Sequence, residues 1–202
     1  MKVKKKQTDS NGAMVDFLFE VGMLAKTPRS YTPFLGHGNQ SVAEHTNRAV
    51  YIGYVLSTML PNVDQHKIMK MCLFHDLAEA RTSDLNYVHQ KYTVANEGKA
   101  IEEISRSVPF GDDIENMVNE FNDRKSMEAR LAKDADRLEY IISLKEHIDT
   151  GSERAKSWMP SALKRLDTKE AITLAKKIVV TKSDNWWFAN KEDAWWIHRN
   201  KK

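Results

Sequence analysis

The chain has 202 residues, of which 41% are hydrophobic and 29% charged, and its formal net charge is +3. That length supports one sizeable core, and the composition is that of a globular protein rather than a disordered one. The mild basicity is too weak to argue for a nucleic-acid partner, although it would not repel a phosphorylated small molecule.

The single cysteine, Cys72, sits in an apolar run and excludes an intramolecular disulfide, so a reducing, cytoplasmic setting is expected. The basic start, MKVKKKQTDSNG, has no apolar stretch behind it, so no secretory leader is expected. Apolar runs such as YIGYVLSTML are too short for a membrane span.

In chain order, residues 1 to about 11 read as a frayed tail. From Gly12 to about Lys26 a helical period places Met14, Phe17, Leu18, Val21 and Leu24 on one stripe. The segment TPRSYTPFLGHGNQ, with its prolines and glycines, reads as a long irregular loop of the kind that carries function. A second helix begins at Ser41, with Glu44 placed for a capping box, and ends before Pro61. His45, Ala49, Ile52, Leu56 and Met59 share its inner stripe, so His45 points inward beside the loop.

A third helix is expected from about Val63 to Ala80, with Ile68, Met71, Cys72, His75 and Glu79 on its inner face and Asp76 on the flank. RTSDLNYVHQKYTVANEG then loses period and reads as a loop. Helices follow over about 97–107 and 112–122, and the longest runs from Ser126 to about Ile148. Pro160 is expected to break the chain before a last helix from Ala162 to Val180. Trp186, Trp187, Trp195 and Trp196 close the chain and are expected to pack on the body or on a second subunit. No strand-like alternation is found, so the fold class is all-α. The domain boundaries read as a tail over 1–11, one helical domain over 12–182 and a Trp-rich extension over 183–202.

The adjacent pair His75-Asp76 is the chemical focus, because an imidazole beside a carboxylate suits a divalent cation. A catalytic metal centre needs three or four protein ligands and an open position. The inward-facing His45 is one further candidate, and an aspartate of KDAD in the long helix is another. Asp134 lies near the Leu131, Leu138 and Ile142 stripe, whereas Asp136 lies among Ala129, Ala132, Tyr140 and Ser143. Periodicity leaves the choice between them open.

The order SVAEH, FHDLAEARTSDL, KDADRLEY resembles that of the HD-domain metal-dependent phosphohydrolases. The finer pattern, an acid three residues after the HD aspartate and another eight after it, resembles the 5'-deoxynucleotidase and oxetanocin-like subgroup, with a further match at KTPRS. The resemblance spans roughly residues 14–150. It implies a single compact HD domain of about six to eight helices. It also implies metal ligation by His45, His75, Asp76 and Asp136, with Asp136 favoured over Asp134. Glu79 is implied as the general acid/base, Asp84 as the acceptor of a sugar hydroxyl and Arg29 as the phosphate-binding cation.

Lys91 is a candidate second cation. Where the subgroup usually carries a tryptophan after the arginine, this chain has Ser30 and Tyr31. The implied activity is removal of the 5'-phosphate from deoxynucleoside monophosphates with one divalent ion (Mn, Co, Mg, Fe or Zn), and the resemblance also implies a homodimer. A dNTP triphosphohydrolase and a non-catalytic nucleotide-binding module are the alternatives, and no stable nucleic-acid or membrane partner is expected.

Overall fold

The structure, a computed structural model, describes residues 10–199. Most of the expected N-terminal tail and the side chain of Trp196 lie outside the described residues, but Ser10 and Asn11 already belong to the first helix. Helix α1 spans Ser10–Val21 and tightens into a 3-10 turn over Gly22–Lys26. A short α2, Thr32–Leu35, interrupts the loop, and α3 spans Val42–Thr58. Then come α4 (Gln65–Phe74), α5 (Glu79–Thr82), α6 (Glu97–Ser107) and α7 (Gly111–Asp123). The long α8 covers Met127–Asp149, followed by α9 (Glu153–Leu163), α10 (Lys169–Val180), α11 (Asn185–Phe188) and α12 (Ala194–His198). The described residues contain no strand, only an isolated bridge between Pro28 and Ser41.

Helix starts follow local chemistry. Ser41, Asp64, Asn96, Ser126, Ser152 and Thr168 each accept a hydrogen bond from a first-turn backbone N–H. At Ser41 the reciprocal bond, donated by its own backbone N–H to the Glu44 carboxylate, completes the expected capping box. The loop before it is pinned at its base: Arg29 N–H donates to the Gln40 carbonyl (2.9 Å) and Val42 N–H to the Thr27 carbonyl (2.9 Å). Its two ends therefore meet in an Ω-like closure, which fixes where Arg29 starts.

α8 is the axis of the body. α3, α4, α9 and α10 pack on it through a core that includes Leu56, Ile68, Met71, Leu138, Ile141 and Ala175. A second cluster forms under α6 and α7 from Leu24, Val42, Leu77, Ile104, Ile114 and Val118. The segment His75–Ala78 runs between the two, so the chemistry sits at a junction of rigid walls. Gly53 lets α3 close on α4, because a Cβ there would lie 2.8 Å from Cys72 Sγ.

Two expected boundaries are corrected. α9 runs through Pro160 rather than breaking at it, and the break falls at residues 164–168. A proline removes one N–H and crowds one carbonyl, whereas the buried Asp134 side chain accepts from both Asp167 N–H and Thr168 N–H and so dictates the turn. The third helix does not reach Ala80 but ends at Phe74. In the C-terminal segment Trp186 is 85% exposed, Trp187 47% and Trp195 59%. Among the described residues no helix is long and apolar enough to cross a membrane.

Candidate active site

Beyond Phe74 the helical hydrogen bonding shortens by one residue. Leu77 N–H donates to the Phe74 carbonyl, Glu79 N–H to Asp76 and Ala80 N–H to Leu77, all i to i−3. In such a 3-10 turn, side chains three apart eclipse one another. Asp76 and Glu79 therefore share one side and both line the cleft, while His75 turns toward the core against Phe121, ring centroids 5.0 Å apart. An uninterrupted α-helix would have stacked His75 over Glu79 instead. Ser83 then takes a left-handed φ of 62°, an uncommon cost for a non-glycine residue, and delivers Asp84 to the same cleft.

The structure brings four sequence-predicted donors together. Ligand atoms of His45, His75 and Asp76 all lie within 4.8 Å of one another. Asp136 Oδ1 lies 3.3 Å from His45 Nε2 and 3.9 Å from His75 Nε2. The two Nε2 atoms face each other at 3.2 Å, and Asp76 Oδ2 approaches them at 3.4 and 3.2 Å.

Hydrogen bonding fixes the tautomers. His75 Nδ1 lies 2.8 Å from the Cys72 carbonyl, which can only accept, so Nδ1 donates. His45 Nδ1 lies 2.6 Å from Glu139 Oε2, and that carboxylate is ion-paired with Arg48 at 2.7 Å, so here too Nδ1 donates. With both Nδ1 positions committed, the two Nε2 atoms face one another beside two carboxylates. Four acceptors converging on one point require positive charge there. Two imidazoles and two carboxylates are a donor set that divalent transition ions accept, so the residues fit a metal.

The titration behaviour expresses the same demand. Burial and Arg29 push His45 down, yet its hydrogen bonds to Asp136, Asp76 and Glu139 outweigh them and raise it well above the ordinary histidine value. Burial alone would raise Asp76 and Asp136, but the imidazoles, with Lys133 in the case of Asp136, hold both far below the usual carboxylate range.

The two aspartates of KDAD have separate duties. Asp134 is fully buried and faces away from the histidines. It accepts from Asp167 N–H (3.0 Å), Thr168 N–H (2.7 Å), Thr168 Oγ1 (2.8 Å) and Arg137 Nη1 (3.1 Å). It is the anchor of the α9–α10 turn, and Asp136 alone of the pair joins the cluster.

The cleft beside the cluster holds about 480 Å³. Arg29 lines it, its Nη1 2.9 Å from Asp84 Oδ2 and 3.3 Å from Asp76 Oδ2, with Nε buried and without an acceptor. Asp84 Oδ2 also accepts Ser30 N–H at 3.0 Å. Glu79 has a buried Oε2 with no hydrogen-bond partner, and two candidate ion-pair partners, Arg48 and Arg81, are paired elsewhere. Burial first, then Asp76 and Asp84, push its carboxyl up to about 9. With no metal bound, this carboxyl is held in its protonated form at neutral pH.

Lys91 is not brought in. It is exposed on a 3-10 turn with its Nζ 5.0 Å above the Tyr87 ring, and it does not line the cleft. Lys133, Arg137 and Arg165 line it instead. Sequence reasoning also missed Glu139 with its donors Gln40 and Arg48; an acid inside the apolar stretch of a long helix was the available signal. An aromatic hollow of about 390 Å³ continues the cleft, lined by Tyr31, Phe34, Tyr87, Tyr140 and Trp158.

A family model described as HD domain matches residues 21–178, and the chain belongs to the HD-domain family of metal-dependent phosphohydrolases. Among curated relatives, 5'-deoxynucleotidase HDDC2 of Dictyostelium discoideum is 32% identical over 131 residues, covering 57% of this chain and 68% of the relative. The human protein of that name is 22% identical over 181 residues, covering 86% and 88%. Among solved structures, a conserved hypothetical protein from Pyrococcus furiosus superposes with a TM-score of 0.69 at 26% identity, covering 81% of this chain and 98% of that one.

Two tests follow. Asp134→Ala leaves buried backbone donors unpaired and should cost about 3–5 kcal/mol in thermal or urea unfolding. Asp136→Ala should unfold close to the parent but lose bound divalent metal, read by elemental analysis after dialysis. The reverse pattern would exchange their roles. The second test uses Glu79→Gln in EDTA. A folded-state carboxyl raised to about 9 stays protonated in the folded chain while it ionises in the unfolded one, near 4.3. This carboxyl therefore destabilises the fold increasingly as pH rises from about 4.3. The variant should melt higher than the parent at pH 8, with the gap closing toward pH 5; a pH-independent gap would contradict the shift.

Proposed function

We propose that this chain is a 5'-deoxynucleotidase, releasing phosphate from deoxynucleoside 5'-monophosphates. The observation that carries this is one cleft bordered by the four-donor cluster and lined by a carboxyl whose buried Oε2 has no partner and by an arginine beside an aspartate. The relatives named 5'-deoxynucleotidase support the same reading.

A divalent ion held by His45, His75, Asp76 and Asp136 would supply Lewis acidity toward a phosphoryl oxygen and lower the pKa of bound water. Mn, Co, Fe, Zn and Mg all suit the donors to differing degrees. Arg29 offers its fork, including the unpartnered Nε, to the phosphate oxygens. Glu79, protonated, gives its proton to the departing 5'-oxygen as water adds to phosphorus and the P–O bond breaks. Asp84, anchored by Ser30 N–H, accepts a sugar hydroxyl. The base lies against the aromatic hollow, where Tyr31 and Tyr140 meet edge to face at 5.0 Å and present flat apolar walls.

The exposed Trp186, Trp187 and Trp195 are assigned to a homodimer contact, and the buried lone cysteine suits a reducing cytoplasm.

With Mn²⁺ or Co²⁺ the purified protein should release phosphate from dNMPs in a colorimetric assay. Glu79→Gln should lower kcat by roughly 10²–10⁴-fold while metal stoichiometry is retained. No turnover of any nucleoside monophosphate with any of the five metals would refute the assignment.

A further inference from the structure

Next to the cleft lies a second hollow of about 340 Å³, lined by Arg124, Arg130, Lys133, Arg137, Lys164 and Arg165. The single carboxylate on its wall, Asp167, is taken by Arg130 at 2.7 Å. Arg124, Lys164 and Arg165 are exposed and have no ion-pair partner among the described residues, and Arg137 Nε is buried without an acceptor. Lys133, Arg137 and Arg130 are paired with Asp136, Asp134 and Asp167, which leaves Arg124, Lys164 and Arg165 as an uncompensated concentration of positive charge on the rim of this hollow. Arg124 also closes α7 in a left-handed conformation, φ 54°, a place where glycine is usual. Such a concentration costs stability unless an anion relieves it.

The hollow is continuous with the active cleft, because Lys133, Arg137 and Arg165 line both. α8 acts as a ruler between them. Lys133, Asp136, Arg137 and Tyr140 fall on its cleft-facing side, and Lys133 and Tyr140 are about 10 Å apart along the axis. The aromatic hollow is at the Tyr140 end, the metal-ligand Asp136 is between, and the cationic hollow is at the Lys133 end. A nucleotide with its base toward Tyr140 and its first phosphate beside Asp136 has any further phosphate directed into the cations.

Resting on the nucleotidase reading, we propose that this hollow binds a second phosphate group, linked to and beyond the one at the metal cluster. It is a subsite for the distal phosphates of deoxynucleoside di- and triphosphates. These compounds then compete with monophosphates for the site rather than being excluded from it.

The test is titration calorimetry on the metal-loaded protein with Mg²⁺ in excess, using dNMP, dNTP and inorganic tripolyphosphate. Arg124→Ala/Lys164→Ala is the variant, since these two line only the second hollow. The parent should bind dNTP at least tenfold more tightly than dNMP. The variant should lose most of that advantage, keep its dNMP affinity, and melt no lower than the parent. Equal affinities in the parent, an advantage that survives in the variant, or a loss confined to inorganic tripolyphosphate would each overturn the subsite. Failure to release phosphate from dNMPs would refute the nucleotidase reading instead, so the two failures are separable.

Discussion

The structure depends on one buried hydrogen bond, from His45 Nδ1 to Glu139. Glu139 is fully buried and would be costly as a lone charge, but Arg48 reaches it through Nε and Nη2, and Gln40 donates at 2.6 Å. So satisfied, it stays an acceptor, commits the His45 proton to Nδ1 and leaves Nε2 aimed at Asp76, Asp136 and His75. The second histidine is set in the same way by a backbone carbonyl. Orientation by a partner on the far ring nitrogen is what turns two imidazoles into ligands.

That arrangement makes α8 carry more polarity than a core helix needs. Asp134, Glu139 and Ser143 are buried on this helix among alanine, leucine and isoleucine, and Asp136 stands at the edge of that face. Each polar residue is satisfied by a different neighbour. Asp134 holds the α9–α10 turn, Asp136 faces the histidines, Glu139 ties α3 to α8, and Ser143 meets the Tyr31 hydroxyl at 2.7 Å. The helix thus couples the position of the early loop, with Arg29 and Tyr31, to the metal ligands. One of the positive-φ residues, Ser83, and the shortened turn after His75 lie next to the groups that act.

Much of this was legible in the sequence, because it rests on local rules. Capping residues at Ser41 and Ser126, and the periodicity of α6, α7 and α8, placed those helices closely. The convergence of His45, His75 and Asp76 followed from motif order. What stayed hidden depends on contacts between distant segments. A helical wheel cannot separate Asp134 from Asp136 when both face protein; the distinction lies in whether Thr168 or His45 is opposite. A proline looked like a helix end, but the turn obeyed Asp134. The i to i−3 turn at His75 has no periodic signature. Lys91 was plausible by proximity in sequence, whereas Lys133 and Arg165 reach the cleft from elements far along the chain.

The central claim is that His45, His75, Asp76 and Asp136 form one metal centre with both histidines bonding through Nε2. The most direct measurement is anomalous diffraction at the absorption edge of Mn²⁺ or Co²⁺ from crystals grown with that ion. The account predicts a single strong peak within bonding distance of both Nε2 atoms and of Asp76 and Asp136 oxygens, with Asp134 remote from it. A peak elsewhere, coordination that includes Asp134, or no ion bound between the two histidines would contradict it.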